Sequence, residues 1–141
     1  MKIAVDAMGG DFAPAAIVEG AVWALRDFKD ISELFLVGDE EKVRETCQRH
    51  GTVDSRITFI HASQVVDMSD SAVEGVRRKK DSSVSRAVDL VKEGRAQAIV
   101  SAGHTGAAVA ATAAATAGWV LSRARPGVWA WQHGEAEQVT V

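Results

Sequence analysis

The sequence predicts an α/β fold in which a mostly parallel sheet carries helices on both faces. Short β-rich runs alternate with helical patterns along the chain, and this alternation is typical of parallel strands joined by helical crossovers. Residues 34–37 (LFLV) are continuously apolar, as expected for a strand that is buried on both faces. The 141 residues are 47% hydrophobic and 25% charged, fractions that fit one globular domain and exclude a disordered chain.

Nine elements follow from the pattern in order. The first helix starts beside Pro14 and carries Ile17, Ala21, Leu25 and Phe28 on one apolar face. The predicted strands are 3–5, 34–37, 57–60 and 98–101. The predicted helices are 14–28; 40–50, capped by Asp39; 71–78, begun by Ser71; 82–93, capped by Asp81; and 106–116.

Residues 96–122 contain no charged side chain, and this stretch is long enough to cross a bilayer. Alanine, threonine, glycine and serine dominate it, so we expect a buried strand followed by a helix rather than a membrane span. Residues 118–141 show no period of 2 or 3.6 and are expected to form an irregular tail.

Composition and charge exclude several functions. The net charge is −3, whereas a general nucleic-acid binder usually has a basic surplus, so no nucleic-acid partner is expected. Cys47 is the one cysteine and cannot form an internal disulfide, which fits a reducing cytoplasm. The N-terminal residues lack the apolar stretch of a signal peptide. Because zinc-binding spacings are absent, no metal is expected.

The turn after the first strand is one candidate site. It reads DAMGGDFAP at 6–14, with Asp6 at the carboxyl end of the strand and Gly9 and Gly10 before a helix. Glycines let the backbone approach a ligand, and a helix start favours anions. A tight turn with Asp11 as the helix cap would explain the same residues. The three-glycine spacing of dinucleotide sites is absent.

A second turn has the same construction. It reads SAGHTG at 101–106 and offers Ser101, His104 and Thr105 beside a helix start, where they could hold phosphate or an oxyanion. The alternative is a Thr105 cap on a glycine turn with His104 incidentally exposed. Because both turns follow parallel strands, we expect them to form one anion pocket.

A third candidate is the run RRKKDSS at 77–83. Four cations precede a helix start, so Ser82 could bind phosphate while Arg77, Arg78 and Lys79 attract an acidic partner. A solvated charged face is the alternative interpretation.

These motifs together resemble the PlsX family, the bacterial phosphate acyltransferases of phospholipid synthesis. The resemblance rests on residues 3–14, 77–83, 91–94 and 100–107, and it extends over about residues 1–115. It implies transfer of a fatty acyl group from acyl carrier protein to inorganic phosphate, without a cofactor. It also implies that a membrane acyltransferase uses the acyl phosphate downstream.

The resemblance implies a fold and a site as well. The fold would be a three-layer α/β/α sandwich resembling the isopropylmalate dehydrogenases, here incomplete, in a cytoplasmic homodimer that can be peripheral at the membrane. Phosphate would sit on Ser82, Ser101 and the backbone near Thr105, and Lys80 or N–H groups would hold the oxyanion. His104 stands where the family usually has asparagine. The implied catalytic residues are Lys80, Ser82, Ser101 and His104; the phosphate- or substrate-binding residues are Asp6, Gly9, Gly10, Asp11, Gly103, Thr105 and Gly106; the carrier-protein contacts are Arg77, Arg78 and Lys79.

Family members are more than twice as long as this chain. We therefore expect residues 1–117 to be the N-terminal part of an acyltransferase domain, and 118–141 to be a frameshifted or truncated tail. A non-catalytic remnant that binds phosphate or carrier protein, and a phosphotransacetylase-like enzyme, are the alternative interpretations.

Overall fold

The computed structural model describes residues 1–51, 54–67, 69–103, 105–116, 128–132 and 135–139. Those residues form six strands and five helices. The strands are β1 (Lys2–Asp6), β2 (Glu33–Gly38), β3 (Ile57–His61), β4 (Ala98–Ser101), β5 (Val128–Gln132) and β6 (Glu135–Val139). The helices are α1 (Ala15–Asp27), α2 (Glu40–Arg49), α3 (Ala72–Arg78), α4 (Ser83–Lys92) and α5 (Thr105–Thr116).

Strands β1 to β4 form one all-parallel sheet in the order β3-β2-β1-β4. The chain moves outward from β1 through β2 to β3 and then returns to place β4 on the other side of β1. The strand order therefore reverses between β1 and β4. Ligands of open parallel sheets bind outside the carboxyl ends of the strands at such a reversal.

Helices cover both faces of this sheet because side chains of β1 and β2 alternate between the faces. Val5, Leu34 and Leu36 pack with α1 and α2 on one side. Ala4, Phe35 and Val37 pack with α4 on the other, and α5 packs against α4. The helical side chains buried in these cores are Val18, Ala21 and Leu25 of α1, Val43 and Cys47 of α2, Val84, Ala87, Val88 and Leu90 of α4, and Ala111 of α5.

The predicted α/β class is confirmed, and so are the four parallel strands. The predicted apolar face of the first helix is wrong at Phe28, which is 63% exposed because the helix ends at Asp27 and Phe28 leaves it in extended conformation. Val18 takes a buried position on that face. At α4 the predicted cap is also wrong, since Ser82 and not Asp81 is the N-cap residue.

The expected irregular tail contains regular structure. Strands β5 and β6 pair antiparallel, with Val128 opposite Val139 and Gln132 opposite Glu135. Two residues separate the strands, so the second can fold directly back on the first. Antiparallel pairing then satisfies the backbone groups of both strands, and each strand has only five residues, too few for its alternation to stand out in the sequence.

The uncharged stretch 96–122 begins with Ala96 and strand β4 and continues into α5, as expected for its described part. Within the described ranges, no helix combines the length and the apolar character that crossing a bilayer requires.

Candidate functional site

Two loops meet at the strand reversal. Strand β1 ends at Asp6 and β4 ends at Ser101, and these two residues are register partners in the sheet. The loop after Asp6 leads into α1, and the loop after Ser101 leads into α5. The structure thus brings together the first two candidate turns, although His104 lies outside the described residues.

Glycine is required where the loops touch. A Cβ atom added to Gly9 would lie 2.7 Å from Asp6 Oδ2 and 2.8 Å from the Gly103 nitrogen, and one added to Gly103 would lie 2.9 Å from Gly9 Cα. Gly10 has a φ of +97°, and a Cβ there would lie 3.0 Å from the Ala102 carbonyl oxygen. Backbone packing therefore accounts for all three predicted glycines.

A hydrogen-bonded pair of side chains lies under this contact. Ser101 Oγ donates to Asp6 Oδ2 at 2.8 Å, and the Gly103 N–H donates to Ser101 Oγ at 3.2 Å. The Met8 N–H donates to Asp6 Oδ1 at 3.2 Å. Asp6 is only 3% exposed. These bonds hold Asp6 and Ser101 in fixed positions at the carboxyl ends of adjacent strands.

A narrow cavity opens beside this pair, with room for about one water-sized group. Polar side chains of Asp6, Ser83 and Ser101 lie among otherwise apolar or small residues. The lining residues are Asp6, Gly9, Val65, Val66, Ser83, Val84, Ser101 and Ala107. Sequence reasoning selected Ser82 and missed Ser83; the serine pair at the helix start was the available signal, because only one of the two can serve as the cap.

Ser82 has a structural role instead. It is fully buried, its Oγ donates to Ser85 Oγ at 2.8 Å, and it accepts from the Ser85 N–H at 3.4 Å as the N-cap of α4. Asp81, the predicted cap, does not cap the helix. It accepts from Ser63 Oγ and N–H and from Arg86 Nε, and these bonds hold the pKa of its carboxyl far below the usual range.

Lys80 lies in a different place from the Asp6–Ser101 pair. It is exposed and lines a groove of about 240 Å³ among α3, α4 and α5. Val76, Val88 and Ala111 give the groove apolar walls. Ser85, Asp89 and Lys92 supply its other polar groups.

The other cations of the run differ in their surroundings. Lys79 Nζ lies 2.6 Å from Asp70 Oδ2 and donates to the Val65 carbonyl oxygen at 2.9 Å, so its ammonium fixes the segment before α3. Arg78 Nη2 lies 3.9 Å from Glu74 on an exposed helix face, and Arg77 is also exposed.

The remaining predicted residues lie at the ends of the two loops. Asp11 is exposed and does not cap α1, whose N-cap is Pro14 with no side-chain hydrogen bond. Thr105 and Gly106 are the first residues of α5, Thr105 exposed and Gly106 half-buried.

Neither Cys47 nor a cluster of metal-binding side chains contributes to this site among the described residues. Cys47 is buried in the core beside α1, and burial raises the pKa of its thiol, with the nearby Arg44 acting in the opposite direction. A buried thiol of raised pKa is a poor nucleophile. The described residues contain no group of three or more histidine, cysteine or acidic side chains that could hold a metal ion.

Residues 1–121 match the family described as "Fatty acid synthesis protein". Phosphate acyltransferases of Akkermansia muciniphila and Geobacter sulfurreducens are each 55% identical to the chain over 111 residues, and that of Exiguobacterium sp. is 52% identical over 113. Each alignment covers 79% of this chain and 32 or 33% of the relative, so the chain spans about a third of the length of these curated relatives. The chain thus belongs to the fatty acid synthesis protein family, and it corresponds to an N-terminal portion of that family's PlsX-type phosphate acyltransferases.

Proposed function

We propose that this chain contributes the phosphate site of an enzyme that transfers a fatty acyl group from acyl carrier protein to inorganic phosphate, forming acyl phosphate for phospholipid synthesis. The observation that carries the proposal is the meeting of the β1 and β4 loops at the strand reversal, with Asp6 and Ser101 joined beneath them. Family membership supplies the reaction class.

Phosphate binds in this proposal at the mouth of the Asp6–Ser101 cavity. Loop N–H groups and the start of α5 favour an anion there. Ser83 takes the role that the sequence predicted for Ser82, because Ser83 lines the cavity while Ser82 caps α4. A phosphate oxygen attacks the thioester carbonyl carbon and the C–S bond breaks. The carrier leaves as a thiolate and becomes a thiol by taking up the proton that hydrogen phosphate releases.

The groove beside Lys80 supports a place for the acyl donor. Its apolar walls suit a thioester arm, and the Lys80 ammonium could stabilise the negative charge that develops on the carbonyl oxygen. This role requires the thioester to lie along the groove, since Lys80 does not line the cavity beside Asp6.

Acyl carrier protein would dock on the exposed face of α3. Arg77 and Arg78 offer positive charge there, whereas Lys79 is held in its ion pair with Asp70. An acidic carrier would approach such a face with a rate that falls as salt increases.

The larger assembly belongs to the same proposal. Residues 1–117 would form the N-terminal part of a three-layer α/β/α domain resembling the isopropylmalate dehydrogenases, within a cytoplasmic homodimer. A membrane acyltransferase would consume the acyl phosphate.

The test is phosphate-dependent loss of acyl thioester, followed through thiol release while phosphate is titrated with the purified chain. We expect loss with acyl carrier protein as donor, and a weaker phosphate dependence after Ser101→Ala. Ser55→Ala is the matched control, because Ser55 is exposed before β3, at the opposite edge of the sheet. Preference for coenzyme A as donor would favour a phosphotransacetylase-like enzyme. Thioester loss that ignores phosphate would contradict the proposal.

A further inference from the structure

The hydroxyl of Ser101 is committed in a way that limits what it can bind. A serine hydroxyl has one hydrogen to donate. That hydrogen points to Asp6 Oδ2 at 2.8 Å, and one lone pair of Ser101 Oγ is used by the Gly103 N–H at 3.2 Å. Toward the cavity, Ser101 therefore presents a hydrogen-bond acceptor.

Asp6 presents acceptors as well. A carboxylate has about four lone-pair positions and no donor. Two of the positions on Asp6 are occupied, by Ser101 Oγ and by the Met8 N–H. Among the described residues, no lysine or arginine forms an ion pair with Asp6. Its negative charge is nine-tenths buried and faces the cavity uncompensated by those residues.

On the side of the cavity formed by Asp6 and Ser101, a fully deprotonated oxygen would be repelled, whereas an O–H group would donate a hydrogen bond. The repulsion is strong because both charges are removed from water. The cavity has room for about one water-sized group, so one O–H of a ligand can enter while the other oxygens stay outside near the loops.

We propose that Asp6 is a specificity-determining residue that selects hydrogen phosphate over anions without a proton, by accepting a hydrogen bond from the phosphate O–H. This inference rests on the proposed function for the identity of the anion, and it adds which protonated form the site takes. Ser101 assists as a second acceptor and holds the Asp6 carboxylate in place.

Anion binding to the purified chain tests the proposal, measured by calorimetry with inorganic phosphate, sulfate and monofluorophosphate at mildly alkaline pH. All three are then dianions of similar size, and only hydrogen phosphate carries an O–H. Because one hydrogen bond to a charged group is gained or lost, we expect phosphate to bind at least roughly tenfold more tightly than the other two. Equal affinities, or no binding of phosphate, would overturn the proposal.

The variant Asp6→Asn tests whether the Asp6 carboxylate is the source of the anion selectivity. An asparagine amide in place of the carboxylate could donate to an unprotonated oxygen, so Asp6→Asn should weaken phosphate binding and strengthen sulfate binding until the preference disappears. Glu41→Gln removes the same charge from an exposed position in the first turn of α2, at the same edge of the sheet, and should keep the preference. A preserved preference in Asp6→Asn would contradict the role of Asp6. If that variant does not fold, the comparison of the three anions on the unchanged chain still decides.

The outcome is separable from that of the thioester assay. A chain that selects phosphate without consuming thioester would retain this role of Asp6 while the proposed transfer fails. Phosphate-dependent transfer with equal affinities for the three anions would support the proposed transfer and refute the role of Asp6.

Discussion

The backbone contact between Gly9 and Gly103 leaves no space for a side chain at either residue. The two loops meet at these glycines above the Asp6–Ser101 pair. The geometry of the site therefore depends on a close backbone approach that is possible only without a Cβ atom at either residue. Any Cβ at Gly9 must push against backbone and against the Asp6 carboxylate, neither of which can rotate away cheaply.

Gly9→Ala should lower the free energy of unfolding by roughly 1–3 kcal/mol, as overpacking does. Gly20→Ala is the matched control, because a Cβ at Gly20 in α1 would meet nothing within 4 Å. Gly20 is exposed, and replacing this helical glycine by alanine should raise the free energy of unfolding by about 0.5–1 kcal/mol. Denaturant unfolding of both variants gives the comparison, and a neutral Gly9→Ala would show that the loops can separate freely.

At the scale of elements, the helix starts differ in how much they depend on one side chain. Helix α4 is capped by buried Ser82, whereas Ser71, the N-cap residue of α3, makes no side-chain cap hydrogen bond. Both are serines immediately before a helix, so their replacement by alanine isolates the contribution of the cap.

Ser82→Ala should destabilise the chain by about 1–2 kcal/mol, since the part-buried N–H of Ser85 in the first turn of α4 loses its acceptor. Ser71→Ala should stay within about 0.5 kcal/mol of the unchanged chain. Thermal unfolding monitored by circular dichroism measures both. If the two variants lost similar amounts of stability, the side-chain cap hydrogen bond of Ser82 would make no stabilising contribution of its own.

The strands, loops and helix caps differ in how well they could be predicted from the sequence. The continuous apolar run 34–37 predicted β2, which is buried on both faces, and shorter β-rich runs predicted β1, β3 and β4. Glycines after Asp6 and Ser101 located the two loops for the same local reason. The choice among Asp81, Ser82 and Ser83 could not be made from sequence, since the Asp81 carboxylate is held by Ser63, which lies 18 positions away in sequence and is brought near by the fold.

Across the whole molecule, the Arg56 guanidinium joins parts of the chain that are distant in sequence. It donates to the Leu25 carbonyl oxygen at 2.6 Å at the end of α1 and to the Ile31 carbonyl oxygen at 3.1 Å before β2. Asp54 pairs with it at 2.7 Å, and these bonds lower the pKa of the Asp54 carboxyl to about 2. The pair therefore couples the stability of the molecule to acid.

Because the pKa of Asp54 is lowered in the folded chain, its contribution is complete above the ordinary value near 4 and is lost as the pH falls through about 2. Asp54→Asn should flatten the decline of unfolding free energy in that window and cost about 1 kcal/mol or less at neutral pH. Asp81, Asp39 and Glu33 would contribute to the slope that remains, since the pKa of each of these carboxyls is lowered too. Superimposable acid profiles for Asp54→Asn and the unchanged chain would refute this assignment.

The bond between Asp6 and Ser101 joins residues 95 positions apart. Strands β1, β2 and β3 can pair as soon as they emerge during synthesis, but the site has no second half until β4 has been made and has docked beside β1. Closing so long a loop costs entropy before the contact forms, so assembly of the site is a late event in folding. Until then the Asp6 carboxylate remains in water, so a nascent or partly unfolded chain without docked β4 would lack the proposed anion selectivity even where the other three strands are paired.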